Sequence, residues 1–221
     1  MHKKLIPYLL FLILSFVLSS CFTTANFETG KTMGKGHRKL DIAINNSNFE
    51  PKTKGLFPNG SLSSNGGMSL NIGITYGLTD KLDIGMNSST NSDISFKAKY
   101  MLTKPSSKFA VSLGASSFIV LSLPEPMYLH SNIALYTSYH PNKKITFYAY
   151  PQLLFISPQE KNVVETLTES KGASFSTGII LNHFKQKTEI NNFSVGFEYS
   201  NVSVGIFNQN TFSVGIILKD I

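Results

Sequence analysis

Ser138 and His140 stand two residues apart. On a β-strand that spacing places both side chains on one face, and a hydroxyl beside an imidazole is the starting material of a nucleophile and its base. The pair has no acid nearby in sequence to orient the imidazole, and His140 precedes Pro141 at an expected turn. It is therefore read as an interfacial polar residue rather than half of a catalytic dyad. His130 and Ser131 are adjacent and would point to opposite sides of a strand. His37 and His183 show no metal-ligand spacing, and a single cysteine permits neither a thiolate cluster nor an intrachain disulfide. No metal or cofactor is expected. Gly34-Lys35-Gly36 lacks the longer frame of a phosphate-binding loop and reads as a flexible lead-in to the first strand.

The elements that would position these residues are strands. From Leu40 onward the apolar pattern has period two, which sends alternate side chains to opposite faces of a sheet. Met68, Leu70, Ile72, Ile74, Tyr76 and Leu78 share one face, opposed by Ser69, Asn71, Gly73, Thr75 and Gly77. Leu82, Ile84 and Met86 resume the pattern beyond a turn at Thr79-Asp80, and further strands are expected over 94–102, 109–120, 128–139, 145–156, 173–183, 193–199 and 212–218. Ser-Val-Gly recurs at 194–196, 203–205 and 213–215. That end is either two long strands, the first bulged around Asn201, or three short ones. No amphipathic helix competes. The expectation is an all-β, antiparallel up-and-down transmembrane barrel of about ten strands, with eight to twelve open.

A soluble barrel would alternate in the same way with its apolar face inward. Three features favour lipid outside. The polar face is built from Ser, Asn, Thr and Gly, and charged residues make up only 15 % of the chain. Connections at Thr79-Asp80, 103–107 and 141–143 are short, whereas 47–66 and 157–171 are long, as in membrane barrels. Tyr76, Tyr100, Phe109, Tyr139, Phe147 and Phe193 all fall near the short-turn ends of their strands and would form one aromatic girdle. Asp41, Asp83, Lys97, Lys99 and Glu198 are assigned to the lumen. They would form either a charged constriction that selects solutes or a salt-bridged plug, and the plug is preferred because small barrels fill their interiors.

The first residues read as an address. Lys3 and Lys4 precede an apolar run over 5–18, too short to span a bilayer as a helix, and Ser19 and Ser20 lead into Cys21. Residues 1–20 are expected to be a signal peptide, 21–37 an N-terminal segment and 38–221 the barrel. Losing Lys3 and Lys4 lowers the formal charge from +7 to +5. The remaining lysines are scattered and form no stripe of the kind that binds nucleic acid. Leu18-Ser19-Ser20-Cys21 resembles the lipobox of bacterial lipoproteins; cleavage after Ala25 is the alternative. The resemblance implies a lipidated Cys21, with Phe22 after it implying sorting to the outer membrane. Gly77-Leu78-Thr79-Asp80-Lys81-Leu82-Asp83-Ile84-Gly85, with Thr32-Met33-Gly34-Lys35-Gly36 upstream, resembles uncharacterised and transporter-like outer-membrane β-barrel proteins of Gram-negative bacteria. It departs from them at its end, Lys219-Asp220-Ile221, where such barrels commonly carry an aromatic residue.

These readings lead to a non-enzymatic outer-membrane barrel lipoprotein with a channel, transport-accessory or structural role. Its expected partners are outer-membrane lipid and the barrel-assembly and lipoprotein-sorting machinery. A lipid-anchored soluble barrel holding an apolar ligand is the runner-up, and a lipid-processing barrel enzyme the third reading.

Overall fold

In a computed structural model the described residues are 27–51, 67–90, 93–120, 128–157, 170–184, 192–204 and 207–220. Residues 1–26, with Cys21 and Ala25, lie outside them, as do most of the two long connections. Ten strands follow one another in the chain: β1 Arg38–Pro51, β2 Gly67–Gly77, β3 Leu82–Ser89, β4 Asp93–Met101, β5 Phe109–Val120, β6 Tyr128–Tyr139, β7 Ile145–Ser157, β8 Ser170–Phe184, β9 Asn192–Val204 and β10 Phe207–Lys219. Each pairs antiparallel with its chain neighbours, and β1 pairs with β10 from Lys39↔Lys219 to Pro51↔Phe207, which closes the barrel. Closure leaves no unpaired edge, the condition for a sheet to stand in hydrocarbon.

The alternation decides which row meets lipid. Ile72 and Ile84 point outward with 43 % and 42 % of their surface exposed, while Asn71, Thr75, Asp83 and Asn87 are buried inside. The same division runs through Ile42 and Ile44 on β1, Leu113 on β5, Ile133 and Leu135 on β6, and Val214 and Ile216 on β10. An apolar belt of this extent far exceeds the patches that water-soluble surfaces tolerate. The interior is hydrophilic, with Asn45, Ser112, Asn132, Gln152, Ser176 and Thr211 all buried. A soluble calyx around an apolar ligand needs the reverse arrangement.

The short turns use local side chains to satisfy the backbone. Lys81 N–H donates to Thr79 Oγ1 at 3.1 Å, and Asn142 Oδ1 accepts from the Lys144 and Ile145 N–H groups at 2.8 and 3.0 Å. Tyr76, Tyr100, Phe109, Tyr139 and Phe147 stand exposed near this rim, and Phe193 is half-buried. The C-terminal end is two long strands rather than three short ones. Asn201 is not a bulge: it sits in an unbroken ladder opposite Asn210, its Nδ2 donating to Asn210 Oδ1 at 2.8 Å. The register shift lies instead between Asn182 and Phe184 on β8. A second irregularity accompanies Pro151, where the β6–β7 ladder lapses between Ala134↔Gln152 and Thr137↔Ala149, since proline has no N–H to donate.

Candidate functional site: a plugged lumen

Residues 27–37 are not a loose lead-in. They enter at the rim of short turns and run into the barrel, so that Phe27 and Glu28 are among the most buried side chains of the described residues. At the rim, Gly34 and Gly36 adopt φ of +87° and +80°, a left-handed geometry that costs glycine little, and the Gly36 N–H donates to Gly77 O at 2.9 Å. This motif is therefore a defined turn rather than a flexible stretch. Met33 N–H donates to both oxygens of Asp83 at 3.0 Å, and the Thr32 hydroxyl donates to Asp80 O at 2.6 Å.

Farther in, Gly30 lies flush against the wall. Its N–H donates to Ser138 Oγ at 3.0 Å and its carbonyl accepts from Ser112 Oγ at 2.6 Å, so β5 and β6 grip one peptide from both sides. A β-carbon at Gly30 would collide with the Ala110 backbone, 2.6 Å from its carbonyl carbon. The segment can approach this closely only because residue 30 has no side chain.

Glu28 is the electrostatic centre. Its carboxylate accepts from Lys39 at 3.0 Å, Lys97 at 2.5 Å and Lys99 at 2.8 Å, with all four side chains less than a tenth exposed. Lys39 also meets Asp41 at 3.1 Å, and Lys99 meets Asp83 at 3.5 Å. Three ammonium groups and three carboxylates thus form one buried cluster, with neutral total charge. Burial alone would raise the Glu28 carboxyl; the charges of Lys39, Lys97 and Lys99 outweigh it and hold the group well below the ordinary carboxylate range. Glu28 belongs to the inserted segment, whereas its partners belong to the wall. Docking therefore brings the negative charge that balances the lysines.

Glu198 forms a second seat. It accepts from the Tyr148 hydroxyl at 2.9 Å, the Tyr150 hydroxyl at 2.8 Å and the Phe27 N–H at 3.1 Å. The Phe27 ring rests over Gly196 and Gly215, paired residues on β9 and β10, and a β-carbon on either would overlap it. Two copies of the Ser-Val-Gly repeat supply this floor. The glycines of these two copies make room for a ring.

Asp41, Asp83, Lys97, Lys99 and Glu198 all project inward, and the fold draws the first four into the Glu28 cluster. The sequence reading missed Phe27, Glu28, Lys39, Tyr148 and Tyr150. Lys39 was within reach, because it lies two residues before Asp41 on the same face. Tyr148 and Tyr150 carried a signal too, as bulky rings on an otherwise small polar row. Toward the long-loop end Asn132 Nδ2 donates to Gln152 Oε1 at 2.9 Å and Ser47 Oγ meets Thr211 Oγ1 at 2.9 Å.

Ser138 and His140 do come together, with Oγ to Nε2 at 2.8 Å. The other ring nitrogen meets Thr146 Oγ1 at 3.0 Å, where a dyad would want a carboxylate. Ser138 Oγ is buried beneath Gly30 and accepts its N–H, which makes it a clamp on the segment. His37 is at the rim, its Nδ1 2.6 Å from Asp220 Oδ1. The side chains of His130 and His183 lie outside the described set. Among the described residues, no three His, Cys, Asp or Glu side chains are grouped to hold a metal ion.

Among solved structures, the COG4313 outer membrane channel from Pseudomonas putida F1 superposes with a TM-score of 0.53 at 8 % identity, over 89 % of this chain and 99 % of that one. The fold is that of an outer-membrane β-barrel. The translocator domain of the autotransporter NalP from Neisseria meningitidis gives a TM-score of 0.48 at 10 % identity, covering 98 % of this chain and 95 % of that one. Ail of Yersinia pestis gives 0.38 at 12 %, covering 84 % and 99 %. No protein-family model matches the sequence, and no curated protein matches it.

Proposed function

We propose that this protein is a narrow outer-membrane channel whose resting state is shut by residues 27–33 of its own chain. The observation that carries the reading is the Glu28 carboxylate buried among Lys39, Lys97 and Lys99. The wall is joined by ten strand-to-strand ladders, but the segment is held only by ion pairs, hydrogen bonds and one ring. It is the separable part of the interior. Past it the described inward side chains include many amides and hydroxyls, a surface suited to small polar solutes.

The test is planar-bilayer conductance of the full chain and of Gly30→Val, which lodges a side chain where the Ala110 backbone leaves no space. The native barrel is expected to be silent and the folded variant to conduct. Silence from both, with heat-modifiable gel mobility proving the variant folded, would leave a purely structural barrel. The reading also places the short-turn rim on the periplasmic side and makes Cys21 a lipid anchor, handled by lipoprotein-sorting and barrel-assembly machinery. Support for the anchor comes from the Leu18-Ser19-Ser20-Cys21 motif, and loss of palmitate-analogue label in Cys21→Ser tests it. The protein has no hydrolytic role in this reading.

A further inference from the structure

Between the inserted segment and the wall, at the rim of short turns, a cavity of about 310 Å³ remains. Its lining includes the apolar Phe27, Ile180 and Ile217, together with Lys31 from the segment and Lys219, His140, Thr146 and Asn182 from the wall.

Charge around this space is unevenly satisfied. Three carboxylates line it, and each is engaged: Glu28 by three lysines, Asp83 by the Met33 N–H and Lys99, and Asp220 by His37. Lys39 and Lys99, also in the lining, are committed to that cluster. Lys31 and Lys219 have no carboxylate within ion-pair distance among the described residues. Lys219 sits directly across the ladder from Lys39, on the inward row of β10, so two like charges face each other at the barrel seam. Opposed like charges destabilise a sheet, and a cation turned away from bulk water calls for an anion. The His140 imidazole reports the same crowding: burial, then the Lys31 and Lys219 charges, push its pKa down to about 4. It shares the cavity lining with both lysines.

We infer that this cavity binds a small organic anion, a carboxylate or phosphate on a short apolar body, with the charged group clipped between Lys31 and Lys219 and the body against Phe27, Ile180 and Ile217. The volume is at the lower end of the range of small-molecule sites. Lys31 moves with the segment and Lys219 stays with the wall, so such an anion bridges the two and favours the plugged barrel over the open one. The site does not depend on the channel reading, since a permanently shut barrel would present the same cavity.

The experiment is calorimetric titration of the detergent-solubilised full chain with hexanoate, acetate, inorganic phosphate and hexylamine, coupled to hydrogen exchange at the Gly30 amide. Hexanoate is expected to saturate one site and bind about tenfold or more tighter than acetate, because its added methylenes meet an apolar wall. Hexylamine should not bind. Lys219→Met and Lys31→Met should each weaken hexanoate about tenfold, the loss of one charge-assisted contact, whereas Lys143→Met in the exposed turn should not. Hexanoate should also slow Gly30 exchange. Heat-modifiable mobility shows which variants are folded, and either lysine variant suffices. No saturable binding, equal affinity in native protein and a folded lysine variant, or phosphate binding without hexanoate binding would overturn the inference.

Discussion

Replacing Glu28 by Gln keeps the shape of the inserted segment and removes the charge that three wall lysines share. The docked state would then leave Lys39 paired with Asp41, Lys99 with Asp83, and Lys97 donating to the Asn87 amide oxygen. Removing one partner of a buried ion pair typically costs about 3–5 kcal/mol, because an uncompensated charge stays behind. The cost falls on the docked form, since an undocked segment exposes the lysines to water. What still holds the segment is the Phe27 ring, about 2–3 kcal/mol for full burial, and hydrogen bonds of about 1 kcal/mol each, among them the two at Gly30, Phe27 N–H to Glu198 and Met33 N–H to Asp83. A cost of about 3–5 kcal/mol to the docked form means that Glu28→Gln should raise the undocked population by about two to four orders of magnitude. Hydrogen exchange reads this directly, because the Gly30 N–H is bonded to Ser138 Oγ only while docked. Gly30 exchange should accelerate by that factor while strand amides such as Ile72 keep native protection. A Gly30 rate within threefold of the native protein, in a folded barrel, would refute the electrostatic account of docking.

Three further expectations follow from the same geometry. Ile72→Lys, in the middle of the lipid-facing row of β2, should destabilise the barrel by about 2–4 kcal/mol in liposome unfolding titrations, and a change near zero would mean that Ile72 does not meet hydrocarbon. Acidification should favour undocking. With its docked pKa near 4 and Lys31 departing with the segment, His140 binds more protons in the open form between about pH 6.5 and 4, so opening increases as pH falls through that window. Gly30 exchange corrected for intrinsic rate should therefore rise from pH 7 to 5, and His140→Gln should flatten the rise. Ser138→Ala should speed Gly30 exchange about fivefold through one lost hydrogen bond and leave phospholipid turnover at background, as in the native protein; ester hydrolysis that vanishes in the variant would restore the catalytic reading of Ser138 and His140.

The wall was legible because a barrel strand has only two faces and lipid sorts them. Ile72 against Asn71 and Ile84 against Asp83 show the division residue by residue. Membrane barrels write that rule into every strand, so strand number and inward charges followed with little else. A salt-bridged plug was expected from the inward charges, but the inserted segment that completes it was not legible because nothing local specifies it. Phe27, Glu28 and Gly30 lie in a segment without periodicity, and each is explained by partners far along the chain: Gly196 and Gly215 for the ring, Lys97 and Lys99 for the carboxylate, Ala110 for the missing side chain. The bulge expected at Asn201 failed for a related reason. An asparagine that suggests a break in isolation is satisfied by Asn210 across the ladder, a partner that only the register reveals.

The claim on which the account turns is that Phe27 lies inside the barrel over the two glycines of β9 and β10. In nanodiscs, with protonated phenylalanine and glycine in an otherwise deuterated chain, nuclear Overhauser contacts should link the Phe27 ring to the α-protons of Gly196 and Gly215, with those protons shifted upfield by the ring. Contacts from Phe27 to water or lipid alone, with unperturbed glycine shifts in a folded barrel, would contradict it.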